Sequence, residues 1–156
     1  MITSMQKGNY SGIVKKSILI KTSEDRIWRK LSNIVGLPFW LINVKKTVYL
    51  SKKKRGVGAI RKVIFDDGNT IEEHFVDWKN KKSFTYIAVD GLPLRAYVAT
   101  ISIQPKSKNS VKVTWQSYVN SKKMTKKQFQ EFLDFMNSFY LQSLKNLKKQ
   151  MEKTKR

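Results

Sequence analysis

The chain has 156 residues, of which 40% are hydrophobic and 12% are aromatic, so it can bury one domain core but hardly two. It contains no cysteine, which excludes disulfides, thiolate metal sites and cysteine nucleophiles. We expect a single domain over residues 1–156, with a basic C-terminal tail over about 148–156. Neither a secretion signal nor a membrane-spanning run is apparent, so the expected location is cytoplasmic.

The formal net charge of +21 arises from 32 basic and 11 acidic residues. A charge of this size favours a polyanionic neighbour, such as nucleic acid, an acidic membrane surface or an acidic protein. The alternative is that the lysines reflect genome composition and solubility, because most of the basic residues are lysine. The sequence leaves both interpretations open.

The N-terminal part predicts a strand over residues 13–21 and then two short helical segments. Thr22 and Asp25 have the spacing of a capping box, which would begin the first helix. The apolar residues that follow at helical intervals are Ile27, Trp28, Leu31 and Ile34. Gly36 then ends the helix, and Pro38 permits only a second brief turn over residues 39–42.

From Val44 onward the hydrophobic residues alternate, as they do in half-buried strands. Six further strands are predicted, over residues 44–51, 58–65, 70–78, 83–89, 94–104 and 111–119. Turn residues separate them, and the connections are too short for crossover helices. The strands must therefore pair as an antiparallel meander.

Residues 125–153 predict one long helix, which would span roughly 42 Å at a rise of ~1.5 Å per residue. Its apolar stripe consists of Phe129, Phe132, Met136, Tyr140, Leu144, Leu147 and Met151. An isolated helix does not keep such a face in water. The strands should therefore build a concave surface that receives it.

This order of elements, together with several local sequences, resembles the START-like (SRPBCC) superfamily and its polyketide cyclase/dehydrase branch in particular. The segments that carry the resemblance are SILI at 17–20, EDRIW at 24–28, GVGAIR at 56–61, DG at 67–68, EEH at 72–74, and GLPL at 91–94 before Tyr97. They extend over about residues 12–150. The resemblance implies an α+β helix-grip (birch-pollen-allergen-like) fold. In that fold a seven-stranded curved antiparallel sheet and two short helices after the first strand accompany a long C-terminal helix over an apolar cavity.

Two charged residues fall on the apolar side of the predicted strands 58–65 and 70–78. A three-residue loop over 66–68, with Gly68 in the left-handed conformation, would place Arg61 opposite Glu73. A slip of one residue would instead place Arg61 opposite His74. The pair would either orient the polar end of a ligand or simply fix the strand register, and the sequence does not decide between these roles.

Other candidates for the cavity wall are side chains on the apolar face of a strand or in the middle of the long helix. They are Phe75, Tyr86, Tyr97, Trp115, Met136, Tyr140 and Leu144. The alternative for each is ordinary core packing, because a cavity wall and a core share the same chemistry.

The sequence predicts no cofactor and no metal. His74 is the single histidine, so a zinc site lacks ligands, and the predicted register turns His74 away from the cavity. Residues 56–58 lack the third glycine of a dinucleotide fingerprint, and no P-loop is present. No residue is identified as a catalytic nucleophile.

The predicted topology separates the charge between the two ends of the sheet. One end, which related folds use as the cavity entrance, carries a sum of about +1. The opposite end, here called the basic end, sums to +14. Its residues are Lys52, Lys53, Lys54, Arg55, Lys79, Lys81, Lys82, Lys106, Lys108, Lys145, Lys148, Lys149, Glu152, Lys153, Lys155 and Arg156. As an anionic-surface site we single out Lys53, Lys54, Arg55, Lys81 and Lys82.

Three functions are consistent with these features. The first is non-catalytic binding or transport of a hydrophobic small molecule or lipid, with Arg61 and Glu73 orienting the ligand. The second is a polyketide cyclase/dehydrase-like enzyme, in which Glu73 or a tyrosine moves protons. The third is binding of an anionic membrane surface or nucleic acid through the basic end. The sequence favours binding over catalysis and leaves the ligand and the oligomeric state open.

Overall fold

The computed structural model describes residues 7–121 and 123–153. This part of the chain forms seven strands: β1 (Tyr10–Ile20), β2 (Val44–Tyr49), β3 (Ile60–Phe65), β4 (Thr70–Lys79), β5 (Ser83–Asp90), β6 (Ala96–Ser107) and β7 (Ser110–Ser121). Its helices are α1 (Glu24–Leu31), a 3₁₀ helix (Leu37–Phe39) and α2 (Lys126–Lys153). The predicted order of elements is confirmed.

The strands form one antiparallel sheet in the spatial order β1-β7-β6-β5-β4-β3-β2. Strands β2 to β7 follow one another as a meander, while β1 pairs with β7 from Tyr10 opposite Ser121 to Ile20 opposite Val111. The sheet curves around α2, which packs against β1. This architecture is the helix-grip fold.

The long helix begins with a reciprocal cap. The Gln128 backbone N–H donates to Thr125 Oγ1 at 3.1 Å, and the Thr125 N–H donates to Gln128 Oε1 at 2.9 Å. Its predicted stripe faces the sheet, and Tyr140, Leu144, Leu147 and Met151 are fully buried. Burial of that stripe, rather than helix propensity, holds α2 in place.

The first helix differs from its prediction at both ends. Its N-cap is Ser23 rather than Thr22, because Ser23 Oγ accepts the Arg26 N–H at 3.3 Å. The helix ends at Leu31, three residues before Ile34, although Ile34 stays fully buried. The second helical turn also lies earlier than expected, at Leu37–Phe39, with Pro38 inside its first turn.

Strand β3 begins at Ile60 instead of residue 58. Gly56 and Gly58 have φ values of +85° and +95°, which interrupt the extended conformation before the strand.

Among the helices of the described residues, none is long and apolar enough to cross a bilayer.

Candidate ligand cavity

A cavity of about 510 Å³ lies between the concave face of the sheet, the segment around the 3₁₀ helix and the first half of α2. The apolar residues that line it are Leu37, Trp40, Leu41, Val63, Phe65, Ile71, Leu92, Pro93, Ile101, Trp115, Phe132, Phe135, Met136 and Phe139. The volume falls within the range of roughly 300–1,000 Å³ found for small-molecule sites. The cavity is therefore large enough for a ligand and mostly apolar.

The mouth of the cavity lies at the end of the sheet predicted as the entrance. Its exposed lining residues include Asp66, Asp67 and Asn69 in the β3–β4 turn, Gly91 and Pro93 in the β5–β6 loop, and Phe135 on α2. Gly91 has a φ of +102°, and a Cβ there would lie 2.0 Å from the Thr70 carbonyl oxygen. Only glycine allows the β5–β6 loop to lie this close to β4.

Arg61 and Glu73 form a buried ion pair that reaches the cavity. The β3–β4 turn places them opposite each other, with Gly68 at a φ of +88° and the Phe65 N–H bonded to the Asn69 carbonyl. Arg61 Nε donates to Glu73 Oε1 at 2.8 Å. The predicted register is confirmed, and the slipped register is wrong.

The guanidinium of Arg61 is held on three sides. Its Nη1 donates to the Ile34 carbonyl at 2.9 Å, and its Cζ lies 4.9 Å and 4.8 Å from the ring centroids of Phe75 and Tyr86. An arginine has five N–H donors. Those left after Glu73 and Ile34 have no hydrogen-bond partner among the described residues. The cavity therefore offers donors to a ligand.

Glu73 is in a poor environment for a negative charge. Burial raises the pKa of its carboxyl above the ordinary value, while the neighbouring Arg61 acts in the opposite direction. Oε1 accepts from Arg61, and Oε2 has no hydrogen-bond partner within the described ranges. Glu73 can thus accept a hydrogen bond from a ligand or take up a proton.

Three tyrosines and a tryptophan complete the polar part of the cavity. Trp115 Nε1 donates to the Tyr86 hydroxyl at 3.1 Å, and the Tyr97 and Tyr140 hydroxyls are hydrogen-bonded to each other. The rings of Trp115 and Tyr140 stack with centroids 3.6 Å apart. Burial raises the pKa of Tyr86, Tyr97 and Tyr140 well above the ordinary value. The phenols therefore stay neutral at physiological pH and can exchange hydrogen bonds with a ligand.

Most of the residues predicted for the cavity lie in its wall: Arg61, Glu73, Tyr86, Tyr97, Trp115, Met136 and Tyr140. Phe75 and Leu144 do not. Phe75 packs in an aromatic cluster with Trp78 and Phe84, and Leu144 lies fully buried farther along α2. Both point inward as expected, but other side chains fill the space around them.

Part of the wall was not predicted from the sequence. Trp40 packs against Trp115 at a centroid distance of 5.4 Å, and Phe135 and Phe139 of α2 stack near the mouth. A signal for Trp40 was present, since residues 37–41 are an apolar run that turns back at Pro38. Phe135 and Phe139 widen the apolar stripe of α2 in the sequence, but the pattern does not distinguish a residue at a cavity mouth from one in the core.

Because the chain contains no cysteine, a metal ion would depend on histidine and carboxylate side chains. Nowhere in the described ranges do three or more His, Cys, Asp or Glu side chains gather in a way that could hold a metal ion. His74 Nε2 lies 2.7 Å from Glu72 Oε2, and neither residue lines the cavity. The ionisable groups that line the cavity are therefore Arg61, Glu73 and the three phenols inside it, and Asp66 and Asp67 at its mouth.

The predicted basic surface divides into two groups. Lys53, Lys54 and Arg55 are exposed in the β2–β3 loop, and Lys82 is exposed in the β4–β5 turn. Lys81, in the same turn, instead pairs with Asp25 of α1, with Nζ 2.7 Å from Oδ1. That acid partner was not anticipated. Lys122, Lys155 and Arg156, which also enter the charge sums, lie outside the described residues.

Comparison with known proteins places this cavity in context. Residues 11–152 match the model of a family described as "Polyketide cyclase / dehydrase and lipid transport". A comparison with curated proteins found no match. The solved structures compared here are at most 21% identical to this chain in sequence, so they establish the fold alone.

Three of those structures show how sequence identity and TM-score vary among proteins with this fold. The protein XoxI from Bacillus cereus has a TM-score of 0.80 and 21% identity, over 93% of this chain and 99% of its own. The ZhuI aromatase/cyclase from a Streptomyces species has a TM-score of 0.80 and 13% identity, over 94% and 97%. Norcoclaurine synthase from Thalictrum flavum, in complex with dopamine and hydroxybenzaldehyde, has a TM-score of 0.71 and 18% identity, over 96% and 91%.

The family match extends over nearly the whole chain, and the element order and cavity agree with it. The chain belongs to the polyketide cyclase/dehydrase and lipid transport family, within the START-like (SRPBCC) superfamily.

Proposed function

We propose that the protein binds a hydrophobic small molecule or lipid in its internal cavity without transforming it. The observation that carries this proposal is a cavity of about 510 Å³ with apolar walls and one polar region, formed by Arg61, Glu73 and the tyrosines. Burial of an apolar ligand surface would supply the affinity. The polar region would fix its orientation.

The polar region favours a neutral ligand end over a charged one. Glu73 already offsets the charge of Arg61, with the two atoms of the pair 2.8 Å apart. A ligand carboxylate would bring a further negative charge into a buried site, where an unpaired charge is costly. A carbonyl or hydroxyl could accept from the free N–H groups of Arg61 at no such cost.

Native mass spectrometry of protein purified without detergent tests the proposal directly. We expect a co-purified small molecule, or saturable binding of an added fluorescent hydrophobic probe. The variant Ile101→Trp provides the test of location: Ile101 lines the cavity from β6, so a larger side chain there should fill cavity volume and exclude the probe. Ser102→Trp, on the outer face, is the matched control. Absence of any bound molecule or probe would overturn the proposal.

A second candidate, a cyclase/dehydrase-like enzyme, is favoured by one observation. Burial raises the pKa of Glu73, which is the behaviour required of a proton-transferring carboxyl in an apolar site. In that case the cavity would hold a reactive chain while Glu73 or a tyrosine moves protons. The ZhuI aromatase/cyclase has the same fold, at an identity too low to transfer its activity.

Titration of Glu73 by NMR in the ligand-loaded protein separates the two functions. A pKa that remains raised with the cavity occupied supports proton transfer. A pKa that falls below the ordinary value indicates an ion pair that only positions the ligand.

A further inference from the structure

The β2–β3 loop, residues 50–58, carries an unusual concentration of positive charge and is called the basic finger below. Lys52, Lys53, Lys54 and Arg55 are consecutive and all exposed. Among the described residues, no carboxylate lies within ion-pairing distance of any of them. Lys54 instead lies over the Tyr49 ring, with Nζ 5.2 Å from the centroid. The finger therefore presents its full charge to solvent.

Two exposed aliphatic side chains flank this basic run. Leu50 is 48% exposed and Val57 is 52% exposed. Single exposed apolar residues are ordinary on protein surfaces, but these two bracket four cations in one short loop. Apolar side chains beside lysine and arginine are the combination that binds the interface of an anionic bilayer, because the cations meet lipid phosphates while the apolar groups enter the headgroup layer.

Hydrogen bonds of Ser51 and Gly58 fix the conformation of the finger. Ser51 Oγ donates to the Lys53 carbonyl at 2.6 Å and accepts the Ile60 N–H at 2.8 Å. The Gly58 N–H donates to the Phe75 carbonyl at 2.9 Å. A loop fixed in this way loses little conformational freedom on binding a partner.

Other exposed cations lie at the same end of the sheet as the finger. They are Lys79 and Lys82 in the β4–β5 turn, Lys106 and Lys108 near the β6–β7 turn, and Lys149 and Lys153 at the end of α2. Asp25 and Glu152 are ion-paired there, to Lys81 and Lys148, and Glu24 lies beside the β4–β5 turn, so the exposed cations still outnumber the acids. At the mouth end, Asp66, Asp67 and Asp90 equal in number Lys123, Lys126 and Lys127 around the start of α2. The electrostatic field of the protein should therefore turn the basic end, and not the mouth, toward a polyanion.

We propose that the basic end docks on an anionic lipid membrane, with Leu50 and Val57 entering the headgroup layer and the cavity mouth directed away from the bilayer. A membrane fits better than nucleic acid because the exposed apolar residues of the finger are aliphatic. Single-stranded nucleic acid is typically held by aromatic rings that stack on bases. This docking goes beyond ligand binding and does not depend on it.

Vesicle co-sedimentation tests the proposal with the full chain. Wild type should bind vesicles of phosphatidylserine and phosphatidylcholine, should not bind pure phosphatidylcholine, and should lose affinity as salt rises. The variant K52E/K53E/K54E should weaken binding about tenfold or more. The variant K123E/K126E/K127E makes the same change of charge at the start of α2, near the mouth, and should bind nearly as wild type does.

A second pair of variants tests insertion. L50S/V57S should weaken vesicle binding at a salt concentration where charge attraction is largely screened. I13S/V89S, which removes side chains of similar exposure on β1 and β5, should not. All four variants should bind the hydrophobic probe as wild type does, so failure of docking and failure of ligand binding remain distinguishable.

Three results would overturn the proposal. Equal loss in the two triple variants would show that net charge alone attracts the protein. If L50S/V57S binds vesicles as well as wild type does, Leu50 and Val57 do not insert into the headgroup layer. Tighter binding to a single-stranded oligonucleotide than to phosphatidylserine vesicles would identify the basic end as a nucleic-acid surface.

Discussion

Arg61 Nε lies 2.8 Å from Glu73 Oε1 across the β3–β4 ladder, and the two side chains are only 3% and 8% exposed. Neither charge reaches bulk water, so each depends on the other and on the few groups around it. The Ile34 carbonyl and the rings of Phe75 and Tyr86 enclose the guanidinium. The pair therefore joins β3, β4 and the segment after α1 at the point where the cavity becomes polar.

Removing either charge alone should strongly destabilise the fold. Arg61→Met or Glu73→Leu leaves an unpaired buried charge, which costs about 3–5 kcal/mol of unfolding free energy. The double variant Arg61→Met/Glu73→Leu should lose much less, because no buried charge remains. Urea unfolding of the four proteins gives the coupling energy. Additive losses would contradict the pairing.

The pH dependence of stability should report on Glu73 separately. Because burial raises the pKa of Glu73 on folding, the folded protein holds this proton more tightly than the unfolded chain. The stability gained from it is fully present below the unfolded-state pKa of about 4.3 and is lost as pH rises through the folded-state pKa. Wild type should therefore lose stability relative to Glu73→Gln as pH rises over this window.

Urea unfolding at a series of pH values measures this slope. Glu131→Gln, an exposed residue on α2, makes the same change in charge and should leave the slope as in wild type. If Glu73→Gln and wild type keep a constant difference across the window, the buried carboxyl does not bind its proton more tightly in the folded state.

The sequence was most informative where a local rule determined geometry. The three-residue turn before Asn69 fixes the register that pairs Arg61 with Glu73, since a glycine at position 68 accepts a positive φ. The stripe of α2 was equally clear, because the spacings of seven and four residues between Phe129, Met136 and Tyr140 fit the helical period of about 3.6 residues. Such features depend on neighbours in the chain.

Features that depend on distant packing were not predictable in the same way. Thr22 and Ser23 are adjacent hydroxyls, and the choice of cap depends on how the chain leaves β1. Alternation places Phe75 and Tyr86 on the same inner face, but only Tyr86 borders the cavity. The contact of Lys81 with Asp25 joins residues that no local pattern connects.

Two substitutions on α2 measure how much its packing against the sheet contributes to stability. Leu144→Ala removes a fully buried side chain and should cost about 2–5 kcal/mol of unfolding free energy. Met136→Ala should cost less, because Met136 borders the cavity and part of its side chain faces that space instead of core atoms. Phe135→Ala is the control, since Phe135 is 59% exposed. Equal losses of unfolding free energy in Leu144→Ala and Phe135→Ala would show that α2 does not pack stably against the sheet.

The buried phenols should make the protein sensitive to alkali. Of the six tyrosines, Tyr86, Tyr97 and Tyr140 have a pKa that burial raises well above the ordinary value of about 10. Their contribution to stability is therefore complete below that value and is lost as pH rises above it, because the unfolded chain ionises there and the folded chain does not. The phenolate absorbance of these three tyrosines should therefore appear only together with the loss of near-ultraviolet circular dichroism.

Two variants test this assignment. Tyr140→Phe removes a buried phenol and should reduce the absorbance that appears with unfolding, whereas Tyr118→Phe, which removes a hydroxyl from a 41% exposed residue, should leave the alkaline unfolding as in wild type. The Tyr140→Phe protein also leaves the Tyr97 hydroxyl without its partner, so its unfolding should begin at a lower pH. Complete ionisation of all tyrosines while the circular dichroism remains native would mean that water reaches the phenols through the cavity. In that case the polar region would be solvated, and the preference for a neutral ligand end would lose its physical basis.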